Sequence, residues 1–321
     1  MASTSRWART GTRSRPWRSS FLPELPEVET IVRDLRPQLE GRTVEGAYVA
    51  QPGVLRYPDP RSFRRRIVGR RLERVGRHGK FMLVELDAPP SRRRVGPGPP
   101  DPEFLVIHLG MTGRLSVAEP ESPPPPHTHL RLPLSSGAEL RMQDYRRFGR
   151  VLLGSAGELV ANRALPRLGP EPATGSLPNP ESWSGFGGLL SPAEFGSILA
   201  RSRRPVKALL MDQGMVAGLG NIYCDEACFR AGIRPTAPAS SLSPRRRRRL
   251  FRGIAEALAG AVDLRGSSID DYRDGFGEKG QNQERLLVYG RAGLPCVRCG
   301  RALKKTIVAG RTTVYCWSCQ R

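Results

Sequence analysis

Residues 295–320 read PCVRCGRALKKTIVAGRTTVYCWSCQ, and two Cys-x-x-Cys pairs in so short a span decide what the C-terminus must be. Cys296 and Cys299 are followed after sixteen residues by Cys316 and Cys319, inside the spacing range of four-thiolate zinc sites. Leu303 to Val308 and Thr312 to Tyr315, between the pairs, have strand character. The segment is therefore expected to be a β-hairpin held by zinc and dependent on it for folding. Four cysteines fill the tetrahedral shell and leave no position for water or substrate, which makes the one Zn2+ structural. A pair of disulfides is the other reading of the same four residues. Metal ligation in a reducing compartment fits better, since the remaining Cys224 and Cys228 lie four apart in a helical pattern. Arg298, Arg301, Lys304, Lys305 and Arg311 in the same segment offer cations to phosphate.

Upstream of this ribbon the pattern is helical. Ser191 to Ala200, Pro205 to Gln213, Asn221 to Ala231 and Pro244 to Val262 are helix candidates, and the last carries an apolar stripe of Leu250, Ile254, Ala257, Leu258 and Ala261. Its five arginines, 245 to 249, occupy the first turn, where helix-dipole electrostatics disfavour them; they read as a solvated helix start. Gly218-Leu219-Gly220-Asn221 separates two of these helices. Two glycines allow a tight turn and close approach to a phosphate. A purely structural helix-turn-helix corner explains them equally well.

Further upstream the period shortens. Thr43 to Val49, Phe81 to Leu86, Phe104 to Leu109, His129 to Leu134, Glu139 to Met142 and Val151 to Leu153 have strand character, preceded by a helix from Pro26 whose Val28, Ile31, Val32, Leu35 and Leu39 form one apolar face. The expected fold is α+β and multidomain: an N-terminal β-sandwich with one leading helix, a helical domain, and the zinc hairpin. Proline-rich stretches at 88–103 and 118–127 read as surface loops, and 168–185 as the hinge. The boundaries drawn are a basic extension at 1–22, a β-domain at 23–155, a linker at 156–190, a helical domain at 191–284 and the zinc finger at 285–321.

The chain has 321 residues, with 52 Lys and Arg against 30 Asp and Glu, and a formal charge of +22. Such an excess points to a polyanionic partner and argues against an acidic binding protein and most metabolic enzymes. No apolar run is long enough to span a bilayer. Residues 1–21 hold five arginines and no acid. They are expected to be disordered, with targeting, a mis-assigned start and a nucleic-acid-binding tail all open.

Two further stretches suit an enzyme that extracts a base. Asp144-Tyr145-Arg146-Arg147-Phe148-Gly149-Arg150 sets aromatics beside arginines, and His108-Leu109-Gly110-Met111-Thr112-Gly113 sets a flexible apolar side chain between glycines. Wedges of this kind can fill a vacated base stack, though Met111 and Phe148 also read as core. Lys80 is one of five lysines beside 47 arginines, and lysine, unlike arginine, can lose a proton when desolvated; a solvated lysine is the plainer reading.

The segment Pro23 to Thr30, PELPEVET, resembles the N-terminus of the bacterial formamidopyrimidine-DNA glycosylase family. HLGMTG, DYRRFG, LGPEP, GLGNIYCDEACFRAGI, VYGRAGLPC and the paired cysteines follow in the order seen in that family. The resemblance implies a β-sandwich followed by a helix-two-turn-helix domain and a zinc finger, gripping damaged double-stranded DNA. It implies excision of 8-oxoguanine and formamidopyrimidines with β,δ-elimination at the abasic site. It also implies roles: Pro23 as nucleophile, Glu24 as proton donor, Lys80 as acid/base group and Arg311 as phosphate-binding assistant to the second elimination. His127, Arg146, Arg203 and Asn221 match DNA-contacting positions, and Met111, Arg146 and Phe148 the intercalating triad.

The nucleophilic role sets a condition. A proline with a residue on its N-terminal side is an amide without a nucleophilic lone pair, so the functional chain is expected to begin at Leu22, read as initiator Met and removed. A non-catalytic DNA-binding relative is the alternative if Pro23 is never freed. Residues 274–283, DGFGEKGQNQ, occupy the family's lesion-recognition loop in an unusual sequence, and their glycines suit a mobile lid. A monomer in the bacterial cytoplasm, associated with the nucleoid, completes the expectation; organelle targeting by 1–22 stays open.

Overall fold

The computed structural model describes residues 22–88, 101–119, 121–172, 183–269 and 271–321. The expected basic extension, most of the 88–103 insertion and the middle of the 168–185 hinge lie outside the described residues.

The chain opens with helix α1 (Leu25–Leu39). Strands β1 (Tyr48–Val49) and β2 (Leu55–Tyr57), helix α2 (Pro60–Ile67), and strands β3 (Leu72–His78), β4 (Phe81–Leu86), β5 (Glu103–His108), β6 (Arg114–Ala118), β7 (Thr128–Pro133), β8 (Glu139–Gln143) and β9 (Arg150–Gly154) follow. Two sheets result, ordered β2-β9-β5-β4-β3 and β1-β7-β8-β6, antiparallel except for the β2–β9 pair. Val75, Met82, Val84, Leu105 and Ile107 of the larger sheet meet Leu115, Leu130, Leu132 and Met142 of the smaller one, and α1 closes the core with Val28, Ile31, Val32 and Leu35. Each such side chain removed from water contributes about 1.5–3 kcal/mol before entropy is counted. The sandwich with its leading helix stands as expected.

The outer face of the larger sheet is not left to solvent. Helix α3 (Ala156–Ala161) and the segment beyond it lay Leu159, Ala164, Leu165 and Trp183 over Phe81, Leu83, Phe104 and Val106. With both faces covered, β5 is buried at every residue, which explains why it reads as a continuous apolar run. Strands β10 (Glu171–Pro172) and β11 (Leu189–Leu190) then pair in parallel and lead into the helical half.

Helices α4 (Pro192–Ala200), α5 (Val206–Leu210), α6 (Asn221–Ala231) and α7 (Pro244–Asp263) share one core, to which α1 contributes Leu25. Leu25 N–H also donates to Gly218 O at 3.1 Å, so the start of α1 is pinned into the seam between the halves. Strands β12 (Lys304–Val308) and β13 (Arg311–Tyr315) form the C-terminal hairpin, packed on α6 through Phe229, Val288, Leu303 and Val314. Beneath it Lys207 Nζ lies 2.8 Å from Asp225 Oδ1, both fully buried. Lys207 also donates to Thr312 O at 3.0 Å, and Asp225 accepts from Val314 N–H at 2.9 Å. One ion pair thus clamps the hairpin to the helices.

Several elements differ from the sequence expectation. The stretch expected as a strand at 43–49 is only partly one: Thr43 and Val44 make isolated bridges and Tyr48–Val49 the strand. Helix α2 and strand β3 are additional elements, hidden by their arginines and by polar residues on buried edges. The expected helix 205–213 regularises only over Val206–Leu210, after which Asp212 turns the chain by accepting from Gly214 N–H at 3.1 Å.

Candidate active site and zinc centre

Glu24 lies at the seam, 3% exposed. Its carboxylate accepts hydrogen bonds from Gly220 N–H at 2.6 Å, Ile222 N–H at 2.8 Å and Tyr223 N–H at 3.4 Å. The glycine turn and first turn of α6 therefore do hold an anion, as a helix N-terminus favours, but the anion is an internal carboxylate. Space dictates the glycines. A Cβ on Gly220 would lie 2.5 Å from the Glu24 carboxyl carbon and 2.8 Å from Lys80 Nζ; one on Gly218, at φ +97°, would lie 2.6 Å from Leu25 Cδ1.

Lys80 stands in the β3–β4 turn, 6% exposed, and lines one pocket with Leu22, Glu24, Gly220, Asn221, Ile222 and Tyr289. Burial pushes its ammonium below the ordinary lysine range, opposed by the charge of Glu24. Burial likewise raises Glu24, opposed by Lys80 and the three amides. Each group is moved toward its neutral form, the direction that suits a proton donor and a proton acceptor.

A second pocket lies on the other side of Leu22 and is lined by Pro23, Glu27, Met111, Ser267, Asp271 and Tyr272, among others. Pro23 is buried and lines this second pocket. Glu27 accepts from Tyr223 O–H at 2.6 Å, Ser267 N–H at 2.7 Å and Glu24 N–H at 2.9 Å. No cation faces it in these bonds. Burial and the neighbouring Glu24 push its carboxyl up to about 7. Asn282 Nδ2 donates to Ser267 Oγ at 2.7 Å, carrying the network to the 274–283 loop. That loop is tied down at its start: Asp274 and Asp34 share the Arg265 guanidinium at 2.5 and 2.6 Å, and Gly275 N–H donates to Asp34 at 3.0 Å.

Met111 is joined to the arginine–aromatic loop by Asp144, which accepts from Thr112 O–H and from Gly149 N–H, the latter at 2.6 Å. A Cβ on Gly110 would lie 2.4 Å from the Phe148 carbonyl carbon, so the two loops pack backbone to backbone. Phe148 is 44% exposed and the Arg146 guanidinium sits 5.1 Å over its ring. Both readings of the apolar pair as core fail, since Phe148 is exposed and Met111 half-buried at a pocket wall.

Arg311 begins β13 at the hairpin tip, and its charge is felt by Lys80. Asn221 lines the Lys80 pocket, and its Oδ1 has no hydrogen-bond partner among the described residues. His127 is exposed at φ 65° beside the Asp144 loop, and Arg203 is exposed ahead of α5; no described contact joins either to the Glu24 seam. The sequence reading did not single out Glu27, Tyr223, Ser267 or Gly220 as a connected site. Glu27 had a local signal, being three residues into the helix that Glu24 caps, but its partners come from far along the chain.

The four cysteine sulfurs lie within 4.8 Å of one another, with Cys296 Sγ to Cys319 Sγ 3.9 Å and Cys299 Sγ to Cys316 Sγ 3.5 Å. Zn–S bonds of about 2.3 Å in a tetrahedron require S–S edges of about 3.8 Å, so the donor set fits one zinc. Arg298 and Cys319 amides point at Cys296 and Cys316 sulfurs, both at 3.4 Å, the stabilisation a thiolate needs.

A β-sandwich and a helical domain meeting on a buried Pro-Glu-Lys seam, with a zinc hairpin tip and a wedge loop over it, define a two-domain enzyme that works on nucleic acid. The sequence matches the formamidopyrimidine-DNA glycosylase N-terminal domain over residues 22–151, the helix-two-turn-helix domain of the same enzymes over 190–273, and the zinc finger they share with IleRS over 293–321. Formamidopyrimidine-DNA glycosylase of Geobacillus kaustophilus is 40% identical over 94% of this chain and 100% of its own length, and that of Moorella thermoacetica 43% over 88% and 94%. The crystal structure of the MutM (Fpg) protein from Thermus thermophilus is 41% identical with a TM-score of 0.74, covering 93% of this chain and 98% of that one. The Lactococcus lactis enzyme bound to DNA containing N7-benzyl-Fapy-dG has a TM-score of 0.77 at 30% identity, over 93% and 100%. The chain belongs to the formamidopyrimidine-DNA glycosylase family, and its cofactor is one structural zinc.

Proposed function

We propose that this DNA repair glycosylase, with the AP lyase activity of its family, excises 8-oxoguanine and formamidopyrimidines from damaged duplex DNA through the nitrogen of Pro23. The observation that carries the reading is the buried carboxyl of Glu24, shifted toward its neutral form beside Pro23 and Lys80.

The neutral Pro23 nitrogen gives its lone pair to C1′ of the damaged nucleotide, the N-glycosidic bond breaks, and the base leaves with a proton. An α-amino group titrates at about 7.7–8.0, so the neutral fraction is useful at physiological pH. The Pro23 nitrogen sheds its proton, which leaves with the base, and its lone pair then breaks the C1′–O4′ bond as Glu24 protonates the ring oxygen; the resulting iminium at C1′ acidifies the C2′ proton. Lys80 takes or returns protons as the 3′ phosphate departs by β-elimination. Arg311, at the hairpin tip, neutralises phosphate as the 5′ phosphate follows by δ-elimination. Met111, Arg146 and Phe148 fill the space left by the extruded nucleotide, and His127, Arg203 and Asn221 contact the DNA. Zinc holds the hairpin and takes part in no step.

In the intact sequence Pro23 carries Leu22, and its nitrogen is an amide. The working enzyme therefore begins at Pro23, with residues 1–22 absent. The domain division proposed is 23–155, 156–190, 191–284 and 285–321, acting as a monomer in the bacterial cytoplasm. N-terminal sequencing of active native protein tests the central requirement. A first residue of Pro23 is expected; excision by a chain that retains Leu22 overturns the nucleophile and leaves a different group to be found. A chain that binds lesion duplex without excising it, once begun at Pro23, would be a non-catalytic relative.

A further inference from the structure

Helix α6 runs away from the seam: Asn221 lines the Lys80 pocket, and Ala231 lies about 15 Å further on at 1.5 Å per residue. The zinc hairpin runs the same way, with Arg311 at its tip toward Lys80 and the cysteine knuckles at its base. The ends remote from the seam come together. Arg298 Nη1 and Nη2 donate to Phe229 O and Arg230 O at 2.9 and 3.1 Å, Arg234 reaches Trp317 O at 3.4 Å, and Arg246 donates to the C-terminal Arg321 O.

This far face has an extreme charge. Stretches 227–255 and 285–321 hold fifteen arginines and lysines besides Arg311 at the tip, and no aspartate or glutamate. Where its guanidinium groups are bonded, the acceptors are mostly backbone carbonyls, as with Arg298 and with Arg249 on Ala231 O. Such bonds fix the direction of a guanidinium but leave its charge. Glu256 is the nearest exposed acid along α7 and is engaged by Arg252 at 3.5 Å. Arg234, Arg245 and Arg248 are exposed, and Trp317 is 43% exposed with Arg301 and Lys304 about its ring at 5.2 and 5.3 Å. Clustered arginines at the start of α7 also oppose the helix dipole. A solvated face needs no such concentration of one sign, whereas a phosphate backbone neutralises it.

We propose that this far face is a second binding surface for duplex DNA, through which one molecule engages a second DNA segment while the cleft holds the first. The inference rests on the cleft as the first DNA site. Guanidinium groups held by backbone carbonyls suit sequence-independent phosphate contact. The consequence is transfer between DNA segments without full release during the search for lesions.

A bridging assay on the full-length enzyme begun at Pro23 tests this. One undamaged duplex is immobilised on beads, and a second, fluorescent duplex is captured only if protein bridges them. Wild type is expected to capture it at low salt and to release it steeply as salt rises. R234E/R245E/R248E is expected to lose capture by about tenfold or more while binding a single duplex within about twofold of wild type. Zinc content and thermal melting verify its fold, and R234Q/R245Q/R248Q serves if the reversal is misfolded. Absent capture by wild type, undiminished capture by the variants (a dimer bridging through two clefts), or capture of an RNA duplex but not DNA overturns the proposal. Loss of all single-duplex binding by wild type would sink the cleft reading as well.

Discussion

Helix α1 carries two kinds of buried carboxylate within six residues, and their environments are opposite. Glu29 is 5% exposed and meets Arg77 Nε at 2.7 Å and Arg33 Nε at 2.8 Å; Arg77 in turn binds Glu171 at 2.6 Å. Burial would raise Glu29, but the two guanidinium groups outweigh it and hold the carboxyl below its ordinary value. Glu24 and Glu27 are as deeply buried and accept mainly from amides and a phenol, and both are raised. Equal burial with different partners separates an acid that stays charged and holds the fold from acids that exchange protons.

Replacing each acid by its amide should split the two regions most widely. E24Q is expected to reduce single-turnover excision by about 10²–10⁴-fold with a near-native melting curve, as loss of a positioned general acid does. E29Q is expected to do the reverse, leaving Arg77 underpaired at a cost of about 3–5 kcal/mol in denaturant melts while the surviving folded enzyme keeps its rate. A stability loss in E24Q as large as that in E29Q would remove the distinction.

The next effect in size concerns what aims Glu24. G220A inserts a methyl against the Glu24 carboxyl and Lys80, and a displacement of about 1 Å is expected to slow excision by about 100-fold. Rapid-quench kinetics on a lesion duplex measure it. Zinc removal should act on binding instead. Chelation is expected to release one zinc per chain and to abolish cleft binding of duplex DNA by disordering the Arg311 hairpin, while the sandwich keeps its melting transition.

A further effect is a pH dependence. Glu27 titrates near 7 when folded and near 4.5 as a free side chain, so the folded state binds more protons between these values and stability falls as pH rises from about 4.5 to 7. E27Q cannot ionise. Its stability relative to wild type is therefore expected to improve across that window and to level off above it, in denaturant melts at pH 5, 6, 7 and 8. A constant difference would mean that Glu27 is charged throughout.

What could be read from the sequence was what is local in the chain. The cysteine quartet declares a hairpin because metal ligands come in knuckles, and the stripe from Val28 to Leu39 declares α1 because a helix repeats within four residues. Helix α2 escaped because PRSFRRRI carries only Phe63 and Ile67 toward the core. Apart from the family resemblance, Lys80 stands out only as a rarity, since the Glu24 and Gly220 that surround it lie 56 and 140 residues away in the chain. Glu27, Tyr223 and Ser267 could not be joined by any period or spacing, because the bonds that unite them cross the domain seam. The glycine turn is a like case: its capacity for an anion is legible locally, but its occupant, the Glu24 carboxylate, comes from the far side of the seam.

Borohydride trapping of the processed enzyme on an 8-oxoguanine duplex, followed by peptide mass mapping of the adduct, tests the central claim most directly. The account predicts one reduced sugar–protein bond, on the nitrogen of an N-terminal Pro23. An adduct on Lys80, or one formed by a chain still carrying Leu22, would contradict it.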